Sequence, residues 1–486
     1  MCGFIFLRTE KPLDSSKVYE ATKILSYRGP DKNNFVQFKE LSGKNIFALH
    51  YLLDISGKSV MQPLISKNEL GEKILLLFNG EIYNFLKNNF LSDTDYLVNF
   101  FHQVKNIKNE TRLLDGEYAI LIYNEAQKCC DVYVDAFLTK PLFFGQKNNN
   151  SDFGISTYAS SLDNLGFEKI KMFEPNHSYR IKFDGKYNNI KKFEDAACKF
   201  NIDQFKEDSV DWENAFIEAV KKRATHGVFM PFVSLSSGYD SGAICCALNK
   251  LKIKYETFSI LENENIQILK ERIKINKSMS CQAAHIIEGV TRNNISKIKD
   301  NIKKNTESLT YFHQDKIGIN LKIEEDGGSI GSDLIGNIAS SKKFKIHLSS
   351  CGADEIISDY GMNGEKIFLH SEFNGVFPDD LKKIFPWKKF YGDSQRSYLF
   401  KEEFIFGRYG IESRYPFLDL KVVQEYLSIS ASLKNSEYKF PILNFLKKNN
   451  YPVNYNVKSG FNPVHYKISE RIISKIMRIK NSFLKA

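Results

Sequence analysis

The segment Val233-Ser-Leu-Ser-Ser-Gly-Tyr-Asp-Ser-Gly242 decides the fold of the second half of the chain. Its apolar start predicts a buried strand over Pro231–Ser236, and the residues after it predict a helix over Gly242–Leu251. Small residues between the two let backbone N–H groups approach phosphate oxygens, and the helix N-terminus favours an anion. The segment lacks the Gly-x-x-x-x-Gly-Lys-Ser pattern of the Walker loop, which excludes the kinase type of phosphate site.

Strands and helices alternate on both sides of this segment. The pattern predicts a helix over Asp211–Ala224 and strands over Tyr255–Ile260 and Lys343–Leu348. Such alternation is typical of an α/β fold with a parallel sheet, in which ligands bind at the carboxyl ends of the strands.

The first half of the chain consists of short runs rich in β-branched and aromatic residues. Strands are predicted over Cys2–Leu7, Ile46–Leu53, Ile74–Phe78, Tyr118–Tyr123, Val132–Phe137 and Tyr179–Phe183. Turn pairs such as Ser42-Gly43, Asn79-Gly80 and Asp115-Gly116 lie between them. With helices predicted over Lys17–Leu25 and Thr94–Phe101, this half is expected to be α+β with layered sheets. The boundary is placed near 195–210, which gives domains at residues 1–195 and 210–486.

The composition is that of a globular protein with two domains. The chain has 486 residues, 42% hydrophobic and 26% charged, which is too long for one ordinary core. No apolar run is long enough to cross a bilayer and no signal segment is found, so a cytoplasmic protein is expected. The eight cysteines include two adjacent pairs without metal-type spacing, and reduced thiols are expected.

The formal net charge of +10 comes from lysines spread along the chain. No patch rich in arginine and aromatic residues stands out, so a solvated surface explains the charge better than nucleic-acid binding. The basic tail from Lys467 to Lys485 is interpreted as an amphipathic closing helix rather than a membrane contact.

Cys2 directly follows the initiator methionine. If that methionine is removed, Cys2 carries a thiol and a free α-amine, whose pKa of ~7.7 lets it accept the thiol proton. Arg28-Gly29-Pro30-Asp31 is a rigid turn that can present an arginine fork to a carboxylate. Asn79-Gly80 can form an oxyanion hole at a strand end, and Asp93 offers a carboxylate to a substrate amine. Taken singly, the Arg28 and Asn79 segments are also ordinary turn sequences.

This ordered set resembles the glutaminase domain of class II glutamine amidotransferases, in the asparagine synthetase branch. The segments that carry the resemblance are Cys2, Arg28-Gly-Pro-Asp31, Gln62-Pro-Leu64, Asn79-Gly-Glu-Ile-Tyr-Asn84 and Ser92-Asp93. The resemblance implies an Ntn-hydrolase-like α/β/β/α fold, with Cys2 as nucleophile and Asn79 and Gly80 as the oxyanion hole. It also implies that Arg28 binds the glutamine α-carboxylate and that Glu81 and Asp93 bind its α-amine.

Three positions depart from the pattern of that family. Leu52 stands where the family has arginine two positions after His50, Val134-Asp135 replaces an Arg-Asp pair, and Leu138 replaces a glycine. We interpret these positions as scaffold and domain contacts rather than as chemistry.

The segment around Gly238 resembles the pyrophosphate loop Ser-Gly-Gly-x-Asp-Ser of ATP pyrophosphatases, which cleave ATP to AMP and pyrophosphate. The matching residues are Ser236, Gly238, Asp240 and Ser241, with Ser237 in place of the middle glycine. The strand end at Ile260 is similar to the one that holds adenosine by backbone contacts. Ser349-Ser-Cys-Gly-Ala-Asp-Glu355 resembles the family segment Ser-Gly-Glu-Gly-Ala-Asp-Glu, which adds Ser349 and Gly352 to the nucleotide site. Asp240 and Asp354 would then bind Mg²⁺, which prefers oxygen ligands.

Two later segments extend the resemblance over almost the whole chain. Ile411–Asp419 resembles Glu-x-Arg-x-Pro-Phe-Leu-Asp, and Lys458–Pro463 resembles Lys-x-Gly-Phe. The resemblance implies an ATP-pyrophosphatase domain in which Lys458 neutralises charge that develops on pyrophosphate or on a tetrahedral intermediate. Arg414 is expected to form a structural ion pair.

Cys351 is the departure that bears on the substrate, because the family has glutamate there. A thiol cannot replace a carboxylate in orienting an amine or accepting its proton at neutral pH. The acceptor is then a carboxylate other than aspartate, or Glu355 or another acid supplies the missing group.

The sequence predicts a glutamine-dependent enzyme that forms an amide through an acyl-adenylate, with MgATP, glutamine and a carboxylate acceptor as ligands. Conversion of aspartate to asparagine is the leading interpretation, and amidation of a sugar or secondary-metabolite carboxylate is the alternative. Internal cyclisation, a tRNA-modifying enzyme and a catalytically silent binding protein are the remaining hypotheses. The resemblance also suggests a homodimer.

Overall fold

The computed structural model describes most of the chain. The described residues are 2–55, 59–85, 90, 92–103, 110–147, 152–183, 188–262, 264–290, 292–313, 319–362, 364–366, 371–453 and 455. No helix within these ranges is long and apolar enough to cross a membrane.

The first half of the described chain is built on two antiparallel sheets of six strands each. The strands are β1 (Gly3–Thr9), β2 (Lys32–Lys39), β3 (Asn45–Leu52), β4 (Leu64–Lys67), β5 (Lys73–Ile82), β6 (Gly116–Asn124), β7 (Cys129–Val134), β8 (Phe143–Gln146), β9 (Phe153–Ser156), β10 (Glu168–Met172), β11 (Ser178–Lys182) and β12 (Asn189–Phe193). One sheet has the order β10-β8-β9-β1-β3-β2 and the other has the order β12-β11-β7-β6-β5-β4.

The two sheets share one apolar core. Consecutive side chains of β1 and β3 in one sheet, and alternate side chains of β5, β6 and β7 in the other, belong to a single buried cluster. The helices of this half are α1 (Ser15–Ala21), α2 (Lys23–Ser26), α3 (Asp93–Gln103) and α4 (Ala159–Asp163). Helix α3 covers the opposite face of β5 and β6, where Leu97 and Phe101 pack on Leu76 and Ile120. The α+β prediction is therefore confirmed for this half, and the α/β/β/α layering stays a prediction.

The second half is built on a parallel sheet of five strands with the order β15-β14-β13-β18-β21. The strands of this half are β13 (Pro231–Ser234), β14 (Tyr255–Ile260), β15 (Cys281–Ile287), β16 (Thr310–His313), β17 (Ile319–Lys322), β18 (Ile346–Leu348), β19 (Gly361–Met362), β20 (Glu365–Lys366) and β21 (Glu412–Arg414). The predicted parallel sheet is confirmed, and the loops that follow neighbouring strands β14, β13 and β18 leave it at one edge.

Helices surround this sheet. They are α5 (Val210–Thr225), α6 (Tyr239–Leu251), α7 (Ile266–Met279), α8 (Arg292–Asn305), α9 (Gly327–Ser341), α10 (Ala353–Ile357), α11 (Lys388–Tyr391), α12 (Asp393–Gly407), α13 (Leu420–Ser428), α14 (Ala431–Lys434) and α15 (Phe440–Lys448). Short 3-10 turns lie at Glu110–Leu113, Ile323–Glu325, Leu381–Lys383 and Pro416–Leu418.

The prediction that Asn79-Gly80 forms a turn is wrong. Both residues lie inside β5, where Asn79 pairs with Ala119 and Gly80 pairs with Tyr118. Gly80 has φ +136°, and a Cβ there would lie 1.9 Å from the carbonyl oxygen of Glu117. Glycine is required at this position by the close approach of β6 rather than by a turn.

Several predicted element ends also differ from the structure. The strand expected to reach Phe137 ends at Val134, and the strand expected to reach Ser236 ends at Ser234. The helix expected from Gly242 begins at Tyr239, and the strand expected from Lys343 begins at Ile346. In the three strands, the predicted pattern extends beyond the residues that are hydrogen-bonded in the sheet. In the helix, the predicted pattern begins after the first helical turn.

Helix α12 joins the two halves through apolar contacts. Phe400 and Phe404 belong to the core of the antiparallel sheets, with ring centroids 5.8 Å from Phe143 and 5.1 Å from Tyr158. Leu399 of the same helix is buried in the core of the parallel sheet. One helix therefore contributes to both cores, while the domain limits at 195 and 210 stay a prediction.

The junction also contains a fully buried charge cluster centred on Glu403 of α12. Its Oε2 accepts from Arg28 Nη2 at 2.8 Å, and its Oε1 accepts from Lys140 Nζ at 3.1 Å and from the Tyr415 hydroxyl at 2.8 Å. The side chains of Arg28, Lys140 and Glu403 have no exposed surface. Two cations of the first half thus pair with one carboxylate of the second half, and Lys140 also lies 3.6 Å from Glu117.

A second buried group of charges lies beside it. Arg223 of α5 donates from Nε to Glu117 at 2.7 Å and from Nη1 to Asp419 at 2.7 Å. The backbone N–H of Tyr415 donates to the same Glu117 oxygen at 2.9 Å. Because Glu117 lies on β6 and its partners lie in the second half, these bonds fix the orientation of the two halves.

We predict that Glu403→Gln destabilises the protein strongly. The substitution removes the carboxylate that pairs with buried Arg28 and leaves buried Lys140 with Glu117, 3.6 Å away. Breaking a buried pair in this way costs about 3–5 kcal/mol. Urea unfolding measures the loss. The matched control is Glu437→Gln, whose pair with Lys447 is 36–40% exposed and is expected to contribute less than about 1 kcal/mol. Equal losses in the two variants would contradict the prediction.

Candidate active sites

Cys2 lies at the junction of the two halves. Its carbonyl oxygen accepts from Arg28 Nε at 3.0 Å, which fixes the start of β1. Burial raises the pKa of the Cys2 thiol to about 12, and the carboxylates of Glu412 and Glu81 act in the same direction. The backbone of Leu53 opposes the shift by hydrogen bonding to the thiol. A nucleophile in this place needs a proton acceptor that acts directly on the thiol.

Asn79 presents an unused amide in the interior. Its side chain has no exposed surface, and neither its Nδ2 nor its Oδ1 has a hydrogen-bond partner among the described residues. Gln62 holds the strand just before it, because Phe78 N–H donates to Gln62 Oε1 at 2.7 Å. Gln62 Nε2 also donates to the Thr94 hydroxyl of α3 at 3.3 Å. A buried amide without a partner is costly, and it is suited to receive a polar group of a ligand.

Glu81 and Asp93 converge with a third residue that the sequence did not indicate. One ligand atom each of Glu81, Asp93 and His226 lies within 4.8 Å of the other two, and all three side chains are buried. His226 Nε2 is 2.7 Å from Glu81 Oε2. Burial raises the pKa of Asp93 well above its usual range, and the neighbouring charge of Glu81 adds to the shift. Two adjacent buried carboxylates favour a bound cation.

Arg28 lies beside Cys2 and is completely buried. Its guanidinium donates to Glu403, to the Tyr158 hydroxyl and to the Cys2 carbonyl. Arg28 therefore positions the Cys2 backbone, and the binding of the glutamine α-carboxylate by Arg28 stays a prediction.

The predicted phosphate loop lies between β13 and α6. Gly238 is the N-cap of α6, and its N–H donates to the Ser236 hydroxyl at 3.1 Å. Ser236 N–H donates to Ser241 Oγ at 3.0 Å, which closes the loop onto the first turn of the helix. The backbone N–H and hydroxyl of Ser237 both donate to Glu264. The loop thus holds a protein carboxylate through Ser237, so its donors are oriented toward an anion.

Arg272 of α7 holds the backbone of this loop through hydrogen bonds. Its Nη1 donates to the carbonyls of Ser236 and Gly238 at 2.7 and 2.6 Å, and its Nε and Nη2 donate to the carbonyl of Pro452. A Cβ on Gly242 would lie 2.7–2.8 Å from three atoms of the guanidinium group. Glycine at this position of α6 therefore makes room for the arginine.

Asp240 and Asp354, the two predicted metal ligands, converge on one cation, which is Lys439. Its Nζ is 2.8 and 2.7 Å from the two Asp240 oxygens and 2.7 Å from Asp354 Oδ1. Burial opposes the charge of Lys439, but the two carboxylates outweigh it and raise the pKa of the lysine well above its usual range. The oxygen atoms therefore surround a cation position of the kind that Mg²⁺ prefers.

The turn after β18 completes this side of the sheet. Ser349 N–H donates to the Arg414 carbonyl at 2.9 Å, and Ser349 Oγ accepts from Cys351 N–H at 3.0 Å. Gly352 has φ +95°, and a Cβ there would lie 2.4 Å from Leu418. Ile260 is the last residue of β14, the strand next to β13. The structure thus brings the predicted nucleotide residues to one edge of the parallel sheet.

Glu402 is a further acid at this turn. The side chains of Ser349 and Cys351 are its hydrogen-bonding neighbours. Burial raises the pKa of Glu402 in spite of these two neighbours. Its Oε2 atom is buried with no partner in hydrogen-bond geometry among the described residues. Glu355, by contrast, accepts from Gly352 N–H and from the Tyr360 hydroxyl at the start of α10, so it caps the helix.

Lys458 and its segment 458–463 lie outside the described residues, as does the basic tail from Lys467. Arg414 donates to Glu412 at 2.7 Å and to the carbonyls of Arg223 and His226, which agrees with the expected structural ion pair. Sequence reasoning missed His226, Lys439 and Glu402. None of them lies in a recognisable motif, because tertiary packing alone brings them to the sites.

Comparisons with known proteins show what the chain is similar to. The glutamine amidotransferase domain family matches residues 1–197. A putative glutamine-hydrolysing asparagine synthetase of Methanocaldococcus jannaschii is 26% identical over 454 residues, covering 85% of this chain and 78% of the relative. The glutamine-hydrolysing asparagine synthetase of Gallus gallus is 26% identical over 486 residues, covering 89% and 78%. A solved allosteric regulatory enzyme of purine biosynthesis is 13% identical with a TM-score of 0.34, covering 59% of this chain and 80% of that one.

We predict that Gly242→Ala destabilises the second half of the chain. The new methyl group meets the Arg272 guanidinium, which four hydrogen bonds hold in place, and overpacking of this kind costs about 1–3 kcal/mol. Urea unfolding measures the change. Gly238→Ala is the control, because its nearest contact is Ser236 Oγ at 3.2 Å and its φ is −70°. An unchanged midpoint in Gly242→Ala would show that Arg272 can move away.

Proposed function

We propose that this chain transfers the amide nitrogen of glutamine to a carboxylate with the consumption of ATP, because residues 1–197 match the glutamine amidotransferase domain family and the chain is similar to glutamine-hydrolysing asparagine synthetases. Aspartate is the first acceptor to consider, since both relatives named above are called asparagine synthetases. Another carboxylate is the alternative, because Cys351 stands at the position of the family glutamate. We further propose that residues 1–195 and 210–486 are the two functional domains.

In the first step, Cys2 attacks the side-chain amide of glutamine and ammonia leaves. With Met1 removed, the α-amine of Cys2 takes the thiol proton and returns it to the departing nitrogen. Asn79 and Gly80 stabilise the oxyanion, a role supported by the Asn79 amide, which has no partner among the described residues. Glu81 and Asp93 bind the α-ammonium group, whose charge relieves the repulsion between the two carboxylates.

In the second step, the carboxylate acceptor is adenylated and ammonia replaces AMP. Ser236, Ser237, Gly238 and Ser241 cradle the phosphates through N–H and hydroxyl donors, with Ser349, Gly352 and Ile260 around the nucleotide. Asp240 and Asp354 would hold Mg²⁺, which neutralises phosphate charge when bound. Lys439 contacts both aspartates and so balances the charge of the two carboxylates that would hold the metal. Lys458 is assigned to the developing charge on pyrophosphate.

The observation that carries the proposal is the position of α12 between the two groups of residues. Glu403 binds Arg28, which in turn binds the Cys2 carbonyl. The preceding residue, Glu402, adjoins the Ser349–Cys351 turn of the nucleotide site. Helix α12 therefore links the Cys2 segment, through Arg28, with the turn of the nucleotide site.

We predict that Cys2→Ser separates the two activities. Pyrophosphate release is measured with MgATP, a panel of carboxylic acids that includes aspartate, and either glutamine or ammonium chloride. With glutamine, the variant loses at least about 100-fold of the wild-type rate, because a serine hydroxyl is a far weaker nucleophile than a thiol. With ammonium chloride, its rate equals that of the wild type.

The same assay identifies the acceptor. Pyrophosphate release with aspartate would identify the protein as an asparagine synthetase that tolerates Cys351. Pyrophosphate release with another acid would identify that acid as the acceptor. If wild-type protein hydrolyses neither glutamine nor ATP under any condition, the proposed function is wrong and the chain is a silent relative.

We predict that the use of glutamine rises with pH through the raised pKa of Asp93. The carboxyl group must be ionised to bind an ammonium group, and its ionised fraction increases as the pH passes its raised pKa. Asp93→Asn is expected to raise the KM for glutamine more than it lowers kcat and to lose this step in the profile of kcat/KM. Parallel profiles for the two proteins would rule out this role.

A further inference from the structure

Cys351 stands in the turn after β18, where the family that the sequence resembles has glutamate, and the structure places another carboxylate beside this turn. Glu402 approaches this turn from α12, 51 positions later in the sequence. The hydroxyl of Ser349 and the thiol of Cys351 are its neighbours. Helix α12 therefore places a carboxylate beside the turn that carries Cys351 in its sequence.

The environment of Glu402 disfavours an ionised carboxylate, so that this residue destabilises the folded protein. Its Oε2 is buried without a partner among the described residues. The nearby cation, Lys401, is already bound by Asp326 at 2.8 Å. Burial raises the pKa of Cys351 well above its usual range, so the thiol stays protonated and can only donate. A buried carboxylate with a spare oxygen is unfavourable for folding and useful for catalysis.

Two other acidic residues near this turn are engaged in structural hydrogen bonds or ion pairs. Glu355 is fixed by Gly352 N–H and by the Tyr360 hydroxyl. Glu403 neutralises Arg28 and Lys140. Of Glu355, Glu402 and Glu403, it is therefore Glu402 that has an oxygen left for a ligand. Its helix is also linked to the Cys2 segment through Arg28, which donates to Glu403 and to the Cys2 carbonyl.

We propose that Glu402 is the general base of the amide-forming step, taking over the place of the missing motif glutamate. Resting on the proposed function, the step begins when the ammonia nitrogen forms a bond to the acyl carbon of the adenylate. The carbonyl π electrons move to oxygen, and the nitrogen carries one proton too many. Glu402 Oε2 accepts that proton, the carbonyl re-forms, and the C–O bond to AMP breaks with its electron pair on the phosphate oxygen. Cys351 donates to the other side of the carboxylate and orients it.

The first test is thermal unfolding of Glu402→Gln at pH 8, with Glu403→Gln on the same helix as the matched control. A carboxylate kept for catalysis predicts that Glu402→Gln raises the Tm by about 2 °C or more. Glu403→Gln lowers the Tm, because it removes the charge that neutralises buried Arg28 and the nearer carboxylate partner of Lys140. A lowered Tm in Glu402→Gln would overturn the proposal, since Glu402 would then be a structural acid.

The second test separates adenylation from amide formation, using ammonium chloride and the acid identified by pyrophosphate release. Glu402→Gln is expected to keep the ATP–pyrophosphate exchange rate and to lose about 100-fold or more of amide formation. Adding Cys351→Glu to this variant restores the carboxylate of the relatives and is expected to regain at least about tenfold. Wild-type rates of amide formation in Glu402→Gln overturn the proposal.

The two tests also keep this inference apart from the proposed function. If wild-type protein releases no pyrophosphate with any acid, the proposed function fails. The comparison of Tm values needs no acceptor substrate. It still decides whether Glu402 destabilises the folded protein or has a structural role.

Discussion

A single buried carboxylate, Glu403, is the constraint on which the rest of the structure depends. It balances Arg28 and Lys140, two cations from the first half that have no contact with solvent. Buried charges are tolerated only when they are paired and fully hydrogen-bonded. The antiparallel sheets and the parallel sheet must therefore keep one relative position, and α12, whose apolar side chains enter both cores, is held there.

This junction explains why polar groups are left unsatisfied on either side of it. Within the described part of the chain, Asn79 has a buried amide with no partner, and Glu402 has a buried oxygen with none. Asp93 and Glu81 bring two carboxylates together. Each arrangement opposes folding, and the apolar cores and the Glu403 cluster offset it. Groups that are unfavourable in the free protein and are satisfied by a ligand are typical of active sites.

Local patterns in the sequence were sufficient for the element types and the parallel sheet, because strand and helix periodicity is a property of neighbouring residues. They failed at Asn79-Gly80, where the approach of β6 to Gly80 determines the conformation. They also gave no sign of the partner of Arg28, because Glu403 is 375 positions away. Lys439, His226 and Glu402 could not be found for the same reason. The sequence motifs predicted the loops of the two sites. The charged partners of the site residues could not be predicted, because tertiary packing alone brings them there.

The central claim is that the two sites are halves of one reaction, and the most direct test is to follow the nitrogen. Wild-type protein is incubated with glutamine carrying ¹⁵N in its amide, MgATP and the panel of carboxylic acids, and the products are analysed by mass spectrometry. The account predicts one labelled amide, formed in equal amount with AMP and pyrophosphate. Labelled ammonium and glutamate without any labelled amide would contradict it.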